Sequence, residues 1–240
     1  MRAKLNAQPN QSLIDGITTL QAVAISKEPV GCRELARSLG YETSRVNRLL
    51  KTLAYLGIVR QTANRKYTAG PGMHVLAAQS LYASGFIQRA MPTLERLQEL
   101  GFTVAMGVLW KTNVSFLYHA PPGMKSSESL GRIGLYPATT SGLGMALLAA
   151  HDDDYIREIY HEEPILGFPG GIESLMAAIQ EVRTKGYARL KVKPDVDQYT
   201  VAITVGNPIY AAIGLSGWIP ESNAESVVGA LKKAAAELAE

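Results

Sequence analysis

A chain of 240 residues, 47 % of them hydrophobic, carries enough apolar material for one large domain or two modest ones, which excludes a largely disordered protein. One cysteine, Cys32, excludes an intrachain disulfide, and no apolar run reaches the ~20 residues that span a bilayer. The net charge of +3 is unevenly spread: up to Gly70 eleven Lys and Arg face four Asp and Glu, a balance of +7, while the remainder has 13 against 17, a balance of −4. A basic first third on an acidic body suggests a nucleic-acid module joined to something else. The polar first residues, with no apolar run behind them, read as the start of a cytoplasmic protein rather than a signal peptide.

Residues 1 to about 11 are polar and expected to fray. Leu13, Ile17, Leu20 and Ala24 follow helical spacing, which predicts a helix over about 12–27, with Pro29 as its stop. Cys32, Leu35, Ala36 and Leu39 stand at i, i+3, i+4 and i+7 and predict a second helix, with Cys32 as a small buried residue and Gly40 closing the helix. A three-residue turn then leads into a third helix over 43–57. At about 100° per residue, Val46, Leu49, Leu50, Leu53 and Leu56 fall on one side. Ser44, Arg45, Asn47, Arg48, Lys51, Thr52 and Tyr55 fall on the other. Hydroxyls and cations suit phosphates, and Asn and Arg suit bidentate contacts to base edges. A basic helix by itself is usually a solvated surface helix. Two short helices joined by so tight a turn, the second one basic, instead form a helix-turn-helix. Residues 58–68 read as two short extended runs around an Asn-containing turn, a wing with Arg65 and Lys66 near its tip. The candidate DNA contacts are therefore Arg33, Thr43, Ser44, Arg45, Asn47, Arg48, Lys51, Arg65 and Lys66.

From Pro71, Met73, Leu76, Ala77 and Leu81 follow a helical pattern and suggest a linker helix. A further helix is expected to start around Pro92, a good first-turn residue, and to run through Leu94 and Leu97 to Gly101. Two apolar runs, 103–110 and 113–119, joined at Lys111-Thr112, predict a hairpin. A loop follows to about Tyr136, then an Ala/Leu/Met-rich helix over about 141–150. Asp152, Asp153 and Asp154 suit the N-terminus of another helix better than a metal site. An amphipathic helix is expected over 172–186, strands over 199–205 and 209–216, and a last helix over about 223–239. The order predicts a mixed sheet with helices packed on it.

Little points to an enzyme. His74, His119, His151 and His161 are scattered without zinc spacing. Ser141 lacks the G-x-S-x-G frame of a nucleophile elbow, and Gly142-Leu143-Gly144 lacks the third glycine of a dinucleotide fingerprint. No catalytic residue, metal site or cofactor is expected.

The chain resembles the IclR (isocitrate lyase regulator) family of bacterial transcription factors over nearly its full length. The matching residues are Glu34-Leu35-Ala36, Ser44, Val46, Arg48-Leu49-Leu50, Thr52-Leu53, Gly57 and Tyr67, then Gly131-Arg132-Ile133-Gly134, Pro137 and Thr140. They continue with Gly144, Ala146-Leu147-Leu148-Ala149, Arg183, Gly186-Tyr187-Ala188, Ala211-Ala212-Ile213 and Ser216-Gly217. Each piece is weak alone; their order and spacing together are fairly specific.

The resemblance implies an α+β chain: a winged helix-turn-helix over 1–70, a linker helix over 71–90, and a GAF-like mixed α/β effector-binding and oligomerisation domain over 91–240. It implies a homodimer or dimer of dimers on a palindromic double-stranded DNA operator, and a small organic effector. Carried over by position, the effector pocket involves Leu130, Ile133, Gly142, Leu143, Leu190, Thr200, Gly214 and Ser216. Gly142 and Leu143 would offer N–H groups at a helix start, a seat for an oxygen. The chain departs from the pattern where Met145 replaces a usual Lys, where Leu190 and Val192 replace a nearby acidic residue, and where Thr200 replaces a Cys. Those losses point to a less polar ligand, or to a changed or lost response. The readings carried forward are a ligand-responsive DNA-binding regulator, a DNA-binding protein whose second domain only oligomerises, and an enzyme with an accessory DNA-binding domain.

Overall fold

The computed structural model describes residues 8–131, 133–161, 164–193 and 195–239, which form two compact units dividing at Phe86. Arg132 of the family motif and most of the polar N-terminal stretch lie outside the described residues.

The first unit comprises α1 (Gln11–Ile25), α2 (Cys32–Leu39), α3 (Thr43–Tyr55), the hairpin β1 (Val59–Gln61) and β2 (Tyr67–Ala69), and α4 (Pro71–Ser84). The Asn10 side chain caps α1 by accepting from the Leu13 N–H at 3.1 Å. Gly40 closes α2 with φ +66°, a left-handed conformation that a side chain would strain, and the chain re-enters helix at Thr43. Leu35, Ala36, Val46, Leu50, Val59 and Tyr67 form the core together with Val23. Val46 and Leu50 are fully buried, each worth about 1.5–3 kcal/mol of transfer free energy. Val30 exchanges two 2.8 Å backbone hydrogen bonds with Tyr67, tying the hairpin to the helices. Two expectations change. Leu56 is 58 % exposed, because α3 ends at Tyr55 and Leu56 is its C-cap. Cys32 is half-buried, with Sγ 3.6 Å from the Thr43 carbonyl.

In the second unit the helix expected at Pro92 begins six residues earlier: α5 spans Phe86–Gln98 with Pro92 inside it. A proline there removes one backbone hydrogen bond. Burial of Phe86, Ala90, Leu94 and Leu97 along the helix offsets that loss. The linker helix correspondingly ends at Ser84 rather than near residue 90.

The sheet contains β3 (Thr103–Trp110), β4 (Asn113–Ala120), β5 (Leu135–Pro137), β6 (Ala188–Lys193), β7 (Val196–Val205) and β8 (Ala211–Gly217). Its order is β5-β4-β3-β8-β7-β6, two three-stranded meanders meeting at β3 and β8. Every pairing is antiparallel, so the sheet is not mixed as expected. The strand β6 is absent from the sequence expectation, although Arg189, Lys191 and Lys193 alternate with Leu190 and Val192 as in a half-buried edge strand.

Helices α6 (Gly142–Ala149), α7 (Asp153–Ile159) and α8 (Gly171–Lys185) build the core on one face. Helix α9 (Glu221–Ala239) packs on β7 and β8. Gly142 to Leu148 are all buried, so α6 is apolar all round, as a central helix must be. Arg183 on α8 secures its far end, donating to the carbonyls of Ala149 at 3.0 Å and His151 at 2.6 Å. Asp152 caps α7 through the Tyr155 N–H at 2.8 Å.

Candidate functional site

The candidate DNA-contacting residues lie mostly on α3. Thr43, Ser44, Arg48 and Lys51 are exposed and Asn47 is half-exposed, while Val46 and Leu50 point into the core. Arg33 is exposed on α2, and Arg65 and Lys66 are exposed at the hairpin tip. That tip is held by Thr62 N–H to the Lys66 carbonyl at 2.8 Å and Arg65 N–H to the Thr62 carbonyl at 2.9 Å. Arg65 has φ +60°, the left-handed region, which is costly for an L residue other than Asn or Asp.

Arg45 differs from the rest of the set. It forms an ion pair with Asp15 of α1, whose side chain is buried, and lies 5.6 Å from the Tyr41 ring centroid. Burial first, and then the hydrogen bond to the Asp15 carboxylate, push the Tyr41 phenol above its ordinary value. Sequence periodicity places Arg45 on the polar face but says nothing of a partner thirty residues away.

The second site is a cavity of about 190 Å³ between the sheet and the start of α6. Ile133, Gly142, Leu143, Leu190, Thr200, Gly214 and Ser216 line it. Leu130 does not; it is 42 % exposed and pairs with Tyr118 at an isolated bridge. The floor is polar: Thr200 and Ser216 are register partners, and Thr200 Oγ1 donates to Ser216 Oγ at 3.0 Å. Gly142 is required here, since a Cβ would lie 2.8 Å from Thr200 Cγ2. The Ser141 side chain caps α6 by accepting from the Gly144 N–H at 3.3 Å. Met145 is buried in the core instead of lining the cavity.

Several lining residues escape the sequence reading. Thr103, Ala105, Thr140 and Ser141 contribute, and Phe116, His119 and Tyr136 form an aromatic wall. Phe116 stands edge-on to His119 with ring centroids 5.9 Å apart, and to Tyr136 at 6.4 Å. A bulge makes this possible. Met106 pairs with Tyr118 but Gly107 with Phe116, so Leu117 is the extra residue, and Phe116 and His119 reach the same face three positions apart. At the edge strand β6, Leu190, Lys191 and Val192 all line the cavity, and the β6–β7 register shifts between Lys191 and Lys193.

Among the described residues no group of three or more His, Cys, Asp or Glu lies close enough to hold a metal ion, and no helix is long and apolar enough to cross a membrane.

Comparison with known proteins agrees with this two-part architecture. Residues 16–63 match the IclR helix-turn-helix domain, and residues 78–239 match the C-terminal domain of bacterial IclR transcriptional regulators. The transcriptional repressor IclR of Escherichia coli is 27 % identical over 74 % of this chain and 68 % of its own length. Two solved structures share the fold. An IclR family transcriptional regulator from Brucella abortus aligns with TM-score 0.78 at 21 % identity, over 99 % of this chain and 94 % of that one. An IclR homologue from Microbacterium hydrocarbonoxydans, complexed with 4-hydroxybenzoate, aligns with TM-score 0.65 at 22 % identity, over 95 % and 97 %. With both parts of the chain matched, this protein belongs to the IclR family of DNA-binding bacterial transcriptional regulators and is not an enzyme.

Proposed function

We propose that the chain is a cytoplasmic, ligand-responsive regulator that binds a palindromic operator as a homodimer or dimer of dimers. Residues 1–70 serve as the DNA-binding domain, α4 (Pro71–Ser84) as linker, and the chain from α5 onward as the effector-binding and oligomerisation domain. The observation that carries the DNA reading is the exposed face of α3, where Thr43, Ser44, Asn47, Arg48 and Lys51 stand over a core that fixes the helix. Arg33, Arg65 and Lys66 add phosphate or minor-groove contacts around it. Oligomerisation is supported by α4, in which no residue is buried although Val75, Leu76, Leu81 and Tyr82 are apolar or aromatic. An apolar helix left uncovered in one chain marks an association surface.

The effector is a small organic molecule in the cavity behind α6. A volume of about 190 Å³ is that of one substituted ring; a cavity of ~150 Å³ holds benzene. The aromatic wall suits a ring face. The Thr200–Ser216 hydroxyls, Lys191 and the start of α6 suit its oxygens. The Microbacterium relative's ligand, 4-hydroxybenzoate, is of this size and polarity. The ligand shifts the balance between two arrangements of the oligomer only by its differential affinity for them. A second reading, in which the C-terminal domain only oligomerises, draws on the aliphatic Leu190 and Val192 and the buried Met145.

A mobility-shift assay on the DNA upstream of the protein's own gene, at two salt concentrations, tests the first half. A discrete, salt-sensitive, sequence-specific complex is expected. Absence of sequence preference there and in a random-sequence selection overturns the operator reading. A thermal-shift screen of monocyclic carboxylic acids tests the second half: a specific ligand raises the melting temperature by mass action, and a pure assembly domain stays indifferent.

A further inference from the structure

Asp15 is fully buried on α1, yet α1 leaves Leu13, Ile14 and Ile17 exposed. A carboxylate removed from water needs partners on every side. Asp15 has them. Gln11 Nε2 donates to Oδ1 at 2.8 Å, Arg45 pairs with Oδ2, and the neighbouring carboxylate helps to push the Tyr41 phenol above its ordinary value, after burial. These partners come from α1, from the turn between α2 and α3, and from the first turn of α3. Arg45 is thus held between a carboxylate and the Tyr41 ring, and its side chain still keeps 38 % of its exposure.

An arginine on a free stem adds charge that any phosphate can use. One whose fork is fixed can meet the paired acceptors of a single base edge, such as guanine O6 and N7, at little entropic cost. We propose that Asp15 is a positioning residue for DNA recognition: it orients the Arg45 guanidinium at the head of α3 and so sets sequence specificity. The proposal rests on α3 being the groove-facing helix. It predicts an unusual sign. Neutralising Asp15 removes a negative charge near the DNA and frees Arg45 to pair with phosphates, so affinity for arbitrary DNA holds or rises while affinity for the preferred site falls. A purely structural Asp15 would weaken both in proportion to the unfolded fraction.

The test uses the full chain as wild type, Asp15→Asn, Arg45→Gln and the double variant. The wild-type protein selects a duplex from a random-sequence pool. Affinities for that duplex and a scrambled one are then measured at two salt concentrations, well below each variant's melting temperature. Asp15→Asn is expected to lower the selected-to-scrambled ratio roughly tenfold and to steepen the salt dependence on scrambled DNA. The double variant should be no less specific than Arg45→Gln alone, since Asp15 acts through Arg45. A wild-type ratio in Asp15→Asn, or losses that add in the double variant, overturns the proposal. Tyr41→Phe, which loosens the same network without stranding a charge, gives the answer if Asp15→Asn does not fold; it should lower the ratio in the same direction, and an unchanged ratio again counts against the idea. A wild-type chain that selects no sequence defeats the groove-facing assignment itself, an outcome distinct from either.

Discussion

Thr200 and Ser216 face each other across β7 and β8, and their hydroxyls, joined at 3.0 Å, form the polar floor of the cavity. Each hydroxyl keeps acceptor capacity for a ligand. Thr200→Val retains the branched shape and removes the donor to Ser216. The fold should lose at most about 1 kcal/mol, the net value of one hydrogen bond. Affinity for a ligand found by thermal-shift screening should fall about fivefold or more by titration calorimetry. Unchanged affinity would place the ligand away from the floor.

Gly142 supplies a sharper probe. Its missing Cβ would sit 2.8 Å from Thr200 Cγ2 and 3.0 Å from Thr200 Cβ, so Gly142→Ala must lift the start of α6 off β7. The expected cost is about 1–3 kcal/mol in urea unfolding, together with loss of ligand binding. Gly134→Ala, with nothing within 4 Å of its added Cβ, is the control and should be near neutral. For the same reason a tryptophan at position 200 would strain the fold as well as fill the cavity.

The helix-turn-helix, the wing and the α6 start were legible because each rests on local chemistry: 3.6-residue periodicity, a glycine stop, an Ala/Leu/Met-rich run. Seven of the eight pocket positions carried over from the family line the cavity. What escaped depends on partners distant in sequence. Phe116 and His119 share a face only because Leu117 bulges against β3. Edge strand β6 is the exception, because its cations alternate with Leu190 and Val192 at the two-residue period that itself signals a strand. Pro92 looks like a helix start, yet buried neighbours on α5 carry the helix through it. Arg45 resembles Arg48 in the sequence and differs from it through Asp15 and the Tyr41 ring.

Arg48 and Lys51 should behave as plain DNA contacts, because both stand exposed on α3. Arg48→Ala should cost about 1–3 kcal/mol of specific binding, and Lys51→Ala should reduce the salt slope by about 1, with melting temperatures unchanged. Arg45→Ala should instead lower the melting temperature too, since it strands the buried Asp15 carboxylate; the loss stays below the ~3–5 kcal/mol of a fully buried pair because Arg45 is 38 % exposed. Equal thermal stability of the Arg45 and Arg48 variants would mean that the ion pair does not form in solution.

His151 makes stability depend on pH. Burial pushes its imidazole below the ordinary 6.5, with Asp152 pulling in the opposite direction. The folded state therefore favours the neutral ring, and the unfolded chain takes up a proton first as pH falls. Stability is fully present above about 6.5 and is lost as pH drops below it. The melting temperature of the C-terminal unit should fall between about pH 7.5 and about pH 5, and His151→Gln should flatten that slope. An unchanged slope would assign the acid sensitivity to other groups.

At the wing tip a trade of stability against binding is expected. Arg65 holds φ +60°, where an ordinary L residue is disfavoured by roughly 1–2 kcal/mol and asparagine is better tolerated. Gln61 Nε2 donates to the Arg65 carbonyl at 3.3 Å, and Thr62 Oγ1 to the Lys66 carbonyl at 3.0 Å, which keeps the turn closed around that residue. A cation kept where an Asn would sit more easily is the pattern of strain retained at a working site. Arg65→Asn should therefore raise stability by up to about 1 kcal/mol in urea unfolding while weakening DNA binding and lowering the salt slope by about 1. Should the variant gain stability with an unaltered salt slope, the wing tip does not reach the phosphates, and the DNA face reduces to α3 and its immediate flanks.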